Sequence, residues 1–430
     1  MQGLRPHQIC PSRRHRCLSG IADGTAPGLP AHMEGVGMMS SDTRALVGTQ
    51  PGDCCPACGK TTAHLLDWSF SGLGDSVFNY RADCHHCLAC GLVYIRNIDD
   101  ATLARYYVEE CSYFEKAHFA VNDSANREKC AFYEGFLRRH GLRNTDMADV
   151  GCGRGGFVSW LEQGGWRGEC WGVDVDVRSI PSQASGTAAF KTGEALALPF
   201  GDRSLGLLSY FHVLEHIRNL LGLLAEAARV LRPGGHILIE VPDAERYAEF
   251  PVGSAFWLSI REHVYHFTPR ALAAALLAKG FQVVEVARQT LPTPEFVYPS
   301  LMILASKQAN PVPAHLPAPG DVADFAVRSR QSLQEQARCI ADLAKDSPLT
   351  VWGCSAELLS LLPLLSLDRI RLCDASPLKQ STHYQGRCIE DPAAVPVAGL
   401  LVVAPYLHRT AIKAAALKLG WPEDAIYLLQ

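Results

Sequence analysis

Several groups of residues in this chain have the types and spacing of chemical sites. The first is Asp149-Val-Gly-Cys-Gly-Arg-Gly-Gly156. Gly151, Gly153 and Gly156 satisfy a G-x-G-x-x-G turn, in which glycines let the backbone approach a ligand at a helix N-terminus. Asp174 closes the apolar run Cys170-Trp-Gly-Val173, where an acidic side chain would grip a ribose. Asp149 stands two residues before the first glycine. A carboxylate there would repel a pyrophosphate but suits a ligand carrying an ammonium group and a sulfonium. S-adenosylmethionine is such a ligand. A dehydrogenase dinucleotide is the minor alternative that the glycines leave open.

The second group is cysteine-rich. Cys55-Pro-Ala-Cys58-Gly59 and Cys87-Leu-Ala-Cys90-Gly91 are two C-x-x-C-G turns, each placing two thiolates on one knuckle. Together they supply the four soft ligands of a closed tetrahedral zinc site, which has no open position for catalysis and is structural. Cys54, Cys84, His85 and His86 crowd the site and are possible substitutes. Residues 65–68, 77–80 and 92–95 read as strands of a zinc ribbon. Unrelated free thiols are the bland alternative.

The third group is Arg261-Glu-His-Val-Tyr-His-Phe267, just before a helix opened by Thr268 as N-cap and Pro269 in its first turn. An imidazole held by a neighbouring carboxylate titrates near neutrality and suits a general base, which points to Glu262 and His263. A packing role for His263 carries equal weight. His263 and His266 are not expected to form a metal pair, because no further ligand sits nearby in sequence. Glu215 and His216 read as caps of the helix that follows them. Tyr106, Tyr107 and Tyr113 read as packing rather than as a cover over the cofactor.

These residues need elements to hold them. Helical patterns over 102–116 and 127–140 lead to a strand at 147–150, a helix at 157–163 and strands at 170–175 and 205–211. Leu220, Leu224, Ala227, Ala228 and Leu231 form a stripe of helical period that stops at Arg232-Pro-Gly-Gly235, before a strand at 236–241. This alternation predicts an α/β fold with a doubly wound parallel sheet and ligands at the strand C-termini. A Pro-rich linker at 308–320 separates it from a second, small α/β unit. That unit has a helix around 321–345 and strands at 349–353, 369–374, 400–404 and 425–429. Its turn, Gly353-Cys-Ser-Ala-Glu-Leu358, keeps one glycine of three, with Asp374 and Lys379 at suggestive places. Leu358 in the third glycine's place argues against a bound dinucleotide.

Five elements in order resemble the class I S-adenosylmethionine-dependent methyltransferases over roughly residues 125–305. They are the 149–156 turn, Asp174, Glu194 before Leu198-Pro-Phe, His212-Val-Leu-Glu-His216 and Arg229-Val-Leu-Arg-Pro-Gly-Gly235. The resemblance implies that Asp149, Gly151, Cys152 and Gly153 hold the methionine part of the cofactor. It also implies that Asp174 binds the ribose hydroxyls, and that Glu194 with Ala195 addresses the adenine. Gly206 departs from the family, which usually has an Asp there, and this puts the local geometry in question.

With the zinc clip, the Glu-His-x-x-His-Phe segment and a Rossmann-like C-terminal unit, the chain is similar to sugar C-methyltransferases acting on nucleotide-linked keto-sugars. That similarity implies that Glu262 and His263 line the substrate pocket and that His263 abstracts a proton beside the ketone. The domains expected are an extension (1–50), a zinc ribbon (51–98), a methyltransferase domain (99–307), the linker (308–320) and an accessory domain (321–430) that shapes the pocket or a homodimer contact. The acceptor implied is a small molecule or nucleotide-linked sugar, methylated on carbon or oxygen. A natural-product or RNA methyltransferase, or a cofactor-binding scaffold without catalysis, are the rivals.

Composition agrees with such a chain. Its 430 residues exceed one ordinary core, and 48% are hydrophobic, enough for two or three. The 40 basic and 44 acidic residues leave a net charge of −4 and no basic stripe, which argues against nucleic acid. Apolar runs are too short for a membrane span, and 16 cysteines without a signal peptide point to the reducing cytoplasm. Residues 1–50 hold Arg5, Arg13, Arg14 and Arg16 before the first acid, Asp23, as a transit peptide would. Pro6 and Pro11 spoil its helix, so a disordered extension upstream of Met33, Met38 or Met39 is expected.

Overall fold

The computed structural model describes residues 54–111, 124–176, 189–250, 252–293 and 296–429. The expected extension at 1–50 and Tyr113 lie outside them. The chain begins with an antiparallel meander of β1 (Thr62–Phe70), β2 (Tyr80–Cys87) and β3 (Val93–Ile95). Residues 77–79, expected as strand, form a turn instead. The Glu110 carboxylate takes the Val77 N–H at 2.6 Å and the Ser76 hydroxyl at 2.6 Å, so that N–H is not free to join a ladder.

The central unit runs through α1 (Asp100–Arg105), α2 (Ser124–Arg139), β4 (Met147–Val150), α3 (Gly156–Gln163), β5 (Cys170–Asp174) and β6 (Ala189–Thr192). It continues with β7 (Leu205–Phe211), α4 (Leu220–Val230), β8 (Leu231–Pro242), α5 (Phe256–Ser259) and β9 (Tyr265–His266). It ends with α6 (Pro269–Ala278), β10 (Phe281–Pro292) and β11 (Val297–Lys307). Seven strands form one sheet in the order β10-β11-β8-β7-β4-β5-β6. β4 to β8 are mutually parallel, as expected. The antiparallel hairpin β10–β11, which pairs through β11 with β8, was not foreseen. Strand order reverses between β4 and β7, and the crevice at such a switch point is where α/β sheets bind ligands. β9 leaves this sheet and pairs with β3, stitching the segment after α5 into the N-terminal meander.

Two details differ from expectation for local reasons. β8 starts at Leu231 rather than 236, because Leu231 already pairs with Leu205 across a register shift. Gly206 stands where the resemblance implies an Asp, and the Thr145 side chain fills the space beside it. A Cβ on it would lie 1.8 Å from Thr145 Oγ1.

The remaining elements are α7 (Val322–Asp346), β12 (Leu349–Trp352), α8 (Ala356–Leu361), β13 (Ile370–Cys373), α9 (Pro377–Gln380) and a short hairpin of β14 (His383–Tyr384) and β15 (Arg387–Cys388). β16 (Leu400–Val403), α10 (Arg409–Lys418) and β17 (Ile426–Leu428) complete them. Their sheet is four-stranded and parallel, ordered β13-β12-β16-β17. One buried apolar cluster includes Trp68 and Phe78 from the meander, Leu207 and Ile239 from the central sheet, and Leu333, Leu358 and Leu372 beyond. Trp68 Nε1 donates to Ser360 Oγ at 3.2 Å, and Ser71 Oγ donates to Leu359 O. The Pro-rich stretch is held at both ends, Val312 N–H on Gln282 Oε1 at 2.6 Å and Gly320 N–H on Glu245 Oε1 at 2.8 Å. No described helix is long and apolar enough to cross a membrane.

Candidate active site

β4 ends at Val150 and enters the turn, where Gly151, Gly153 and Gly155 have φ of 75°, 51° and 72°. This is the left-handed region that favours glycine. Gly156 instead opens α3, so the third glycine that the backbone requires is Gly155. A Cβ on Gly151 would stand 2.4 Å from Val213 Cγ2, so the turn lies against the segment after β7. The N–H groups of Gly151 and Cys152 donate to Val173 O at 2.8 and 3.1 Å. Asp174 comes next, its Oδ2 accepting the Gly153 N–H and its Oδ1 the Asp176 N–H, both at 2.9 Å. Gly193 N–H donates to Asp174 O at 3.0 Å, which sets exposed Glu194 and half-buried Ala195 beside that carboxylate. Asp149 is buried, and Ser209 Oγ donates to its Oδ1 at 2.7 Å. Burial pushes its carboxyl up to about 7, the Asp174 charge adding to the rise and the Ser209 bond opposing it. The structure thus gathers Asp149, Gly151, Cys152, Gly153, Asp174, Glu194 and Ala195 along one edge of the sheet.

A second buried group lies past β7. His212 has φ 55° and its N–H donates to Glu240 O at 2.9 Å. Its ring sits between two carboxylates, Nδ1 3.0 Å from Glu215 Oε1 and Nε2 3.5 Å from Glu240 Oε1. Burial works against a charged ring, but the two acids prevail and raise His212 to about 10. Burial likewise opposes ionisation of Glu240, yet His212 and the Tyr133 hydroxyl hold it down to about 2. Tyr133 OH donates to Glu240 Oε2 at 2.6 Å and Tyr298 OH to Oε1 at 2.7 Å. Sequence reasoning missed this network. The available signal was Glu240, a lone charge inside the apolar run Ile237-Leu-Ile-Glu-Val241.

Glu215 and His216 do not cap the next helix. Asn219 does so, its Oδ1 accepting Gly222 N–H at 3.0 Å. Val264 N–H donates to Glu215 O at 2.7 Å and straps the turn holding Glu215 and His216 to the 261–267 segment. Glu262 and His263 are both buried there, but among the described residues no hydrogen bond joins them. Glu262 Oε1 accepts from Tyr106 OH at 3.3 Å, so Tyr106 is a partner of the candidate site as well as core. The His263 ring lies 4.8 Å from that of His216. Burial, with His216, His266 and His212 around it, holds the His263 imidazole well below its usual range, and it stays neutral. The carboxylate gathered with it is Glu215: one donor atom each from Glu215, His216 and His263 lies within 4.8 Å of the others. His266 stands apart, its Nδ1 3.2 Å from Tyr247 OH, and Tyr265 OH donates to Arg218 O at 2.5 Å.

Residues 124–286 match a family model described as "Methyltransferase domain". Over those residues the chain carries a methyltransferase domain. The chain is also similar to an uncharacterized 37.1 kDa protein in transposon TN4556 of Streptomyces fradiae, 27% identical over 41% of this chain and 54% of that protein. It is 28% identical to the malonyl-[acyl-carrier protein] O-methyltransferase of Methylococcus capsulatus, over 39% of this chain and 62% of that protein. Its identity to the demethylmenaquinone methyltransferase of Mycobacterium tuberculosis is 26%, over 36% of this chain and 73% of that protein. The chain therefore spans less than two thirds of the first two relatives.

Ahead of the methyltransferase domain, the two cysteine knuckles close on each other. Cys55 and Cys90 sulfurs are 3.6 Å apart, Cys58 and Cys87 sulfurs 3.5 Å. All four lie within 4.8 Å of one another, a set that fits one tetrahedral soft cation. The expected competitors are not among them. Cys54 pairs with Thr61 in an isolated bridge, His85 Nε2 lies 2.9 Å from Asp83 Oδ1, and Cys84 and His86 lie elsewhere on β2. Behind the domain, Asp374 repeats part of the Asp174 pattern, accepting Cys354 N–H at 2.7 Å and Ser376 N–H at 2.9 Å. Lys379 Nζ also sits 3.0 Å from Asp374 Oδ2, and Leu358 is buried.

Proposed function

We propose that the chain is an S-adenosylmethionine-dependent methyltransferase acting on a small molecule. The acceptor class that best matches its parts is a nucleotide-linked sugar, methylated on carbon or oxygen. One observation carries the cofactor: a buried carboxylate, Asp149, heads the glycine turn, where it suits a cationic amino acid moiety and opposes a pyrophosphate. Asp149, Gly151, Cys152 and Gly153 would hold the methionine part, Asp174 the ribose hydroxyls, and Glu194 and Ala195 the adenine. The bound cofactor supplies an electrophilic methyl group on sulfur. The chain's own residues align the acceptor and take its proton. His263, kept neutral by burial, has the free lone pair for that, while Tyr106 holds Glu262 beside it. The cysteine cluster would hold a structural zinc ion. The sugar reading is supported by the combination of cysteine clip, Glu-His-x-x-His-Phe segment and second parallel sheet. Relatives named for malonyl-acyl carrier protein and demethylmenaquinone keep other acceptors open.

Calorimetry tests the cofactor site. Asp174→Ala is expected to weaken S-adenosylmethionine binding by roughly 1.5–3 kcal/mol, the worth of hydrogen bonds to a charged group. Unchanged affinity would sink the assignment. Glu262→Gln and His263→Asn should keep cofactor affinity and lose turnover; turnover that persists in both variants would remove this pair from the chemistry, and a native chain that binds cofactor with no turnover would be the scaffold instead.

Affinity should also depend on pH. The cationic moiety requires ionised Asp149, whose carboxyl lies at about 7 in the free protein. Below that value the proton must first be removed, so affinity falls about tenfold per pH unit; above it affinity levels off. A flat profile for the native chain, or an unaltered slope in Asp149→Asn, would count against the assignment.

A further inference from the structure

We propose that Glu215, His216 and His263 form a binding site for one divalent first-row transition-metal cation. The inference deepens the methyltransferase reading of this crevice and rests on it only for the use the ion would have. Two imidazoles and one carboxylate are the donor set that such cations favour, and one donor atom of each already lies within 4.8 Å of the others.

The orientation of each group supports ligation. His216 Nδ1 faces the carbonyl oxygen of Glu262 at 3.2 Å, so that nitrogen carries the proton. His216 Nε2 therefore keeps its lone pair, and it points toward Glu215 Oε1 at 3.9 Å. An outer carbonyl that fixes the tautomer is how metal-bound histidines are usually held. Glu215 Oε1 is engaged by His212, whereas Glu215 Oε2 is buried without a partner among the described residues. His263 Nδ1 is likewise buried and without a partner there. Buried polar atoms in folded proteins rarely lack partners, and here two orphans occur within one cluster of metal-ligating side chains. Charge does not oppose the ion. Glu215, Glu240 and the His212 imidazolium sum to −1, and His212 engages Glu215 Oε1, the oxygen nearest His216 Nε2, which leaves Oε2 free for the ion. The place is also apt, because Val213, between His212 and this turn, abuts Gly151 of the cofactor turn. An ion there would acidify an acceptor hydroxyl or enol; His263 acts as a ligand with the ion bound and as the base proposed above without it.

Cobalt(II) is the probe, because its absorption distinguishes the two candidate sites. Thiolate-bound cobalt shows strong sulfur-to-metal charge-transfer bands, and imidazole–carboxylate cobalt shows only weak visible bands. Titrated into the full zinc-loaded chain, cobalt(II) should produce weak visible bands without charge-transfer absorption, saturating at about one equivalent. Glu215→Gln, His263→Asn and His216→Ala should each weaken this binding at least tenfold, and His266→Asn should leave it unchanged. His216 is the most exposed of the three ligands, so its variant serves if the buried substitutions fail to fold. Absence of these bands in the native chain, or unchanged binding in folded His216→Ala, overturns the proposal. Loss of S-adenosylmethionine binding with cobalt uptake intact would instead tell against the methyltransferase reading.

Discussion

Glu240→Ala is expected to destabilise the chain by about 3 kcal/mol, measured by urea denaturation. Glu240 is fully buried and accepts both the Tyr133 and Tyr298 hydroxyls. Alanine leaves two buried donors without an acceptor, each worth about 1–3 kcal/mol. The lost attraction to His212 adds less, because that ring is 33% exposed and partly screened. The three partners come from α2, β11 and the end of β7, so one carboxylate ties a helix to two strands. A loss below about 1 kcal/mol would show that water or repacking replaces these bonds.

The same pair has a pH signature whose sign is fixed. Glu240 lies at about 2 in the folded chain against an ordinary 4.5, so its contribution is present above 4.5 and is lost as pH falls toward 2. His212 lies at about 10 against 6.5, so its contribution is present below 6.5 and fades as pH rises through 10. Both describe one interaction, which is complete only between those ordinary values.

The second large effect concerns the cysteine clip. Cys87→Ser should abolish the zinc binding proposed for the clip, read as a fall from about one zinc per chain to none by metal analysis, and should melt the N-terminal meander. Structural zinc contributes about 10–16 kcal/mol in isolated finger peptides; here the share that appears in global stability will be smaller, because the meander also packs on the rest. The damage should reach the candidate active site. Ile95 N–H donates to Val264 O at 2.9 Å, Thr268 Oγ1 donates to Cys90 O at 2.6 Å, and β9 pairs with β3. Turnover should therefore fall more than cofactor affinity. A native chain that folds with no metal would rule the clip out.

Much of the fold was legible because its signals are local. The glycine turn, the apolar strands and the helix at Leu220–Val230 each announce themselves within a dozen residues. The hairpin β10–β11 did not, since β10 mixes buried and exposed positions without a regular period and β11 joins the sheet through distant β8. Val77-Phe-Asn-Tyr80 has the composition of a strand, but a carboxylate at Glu110 captures its backbone. The residues proposed to hold the cofactor stand out as a group for the same reason as the strands. The acceptor side was harder: Glu262 and His263 are sequence neighbours that turn to different partners, while Glu215 and His216 reach His263 from 47 or 48 positions away. Nothing in a linear pattern distinguishes a carboxylate that caps a helix from one that faces a histidine across a strand switch.

The proline-rich stretch at 308–320 has the composition of a seam between interchangeable modules. Its ends are fastened to the central unit, and Trp68 from the first sheet meets Ser360 beneath the third. Recombination at that seam would strip the cover from Trp68 and leave the underside of α8 wet. The three sheets are thus committed to one another and would have to be inherited together.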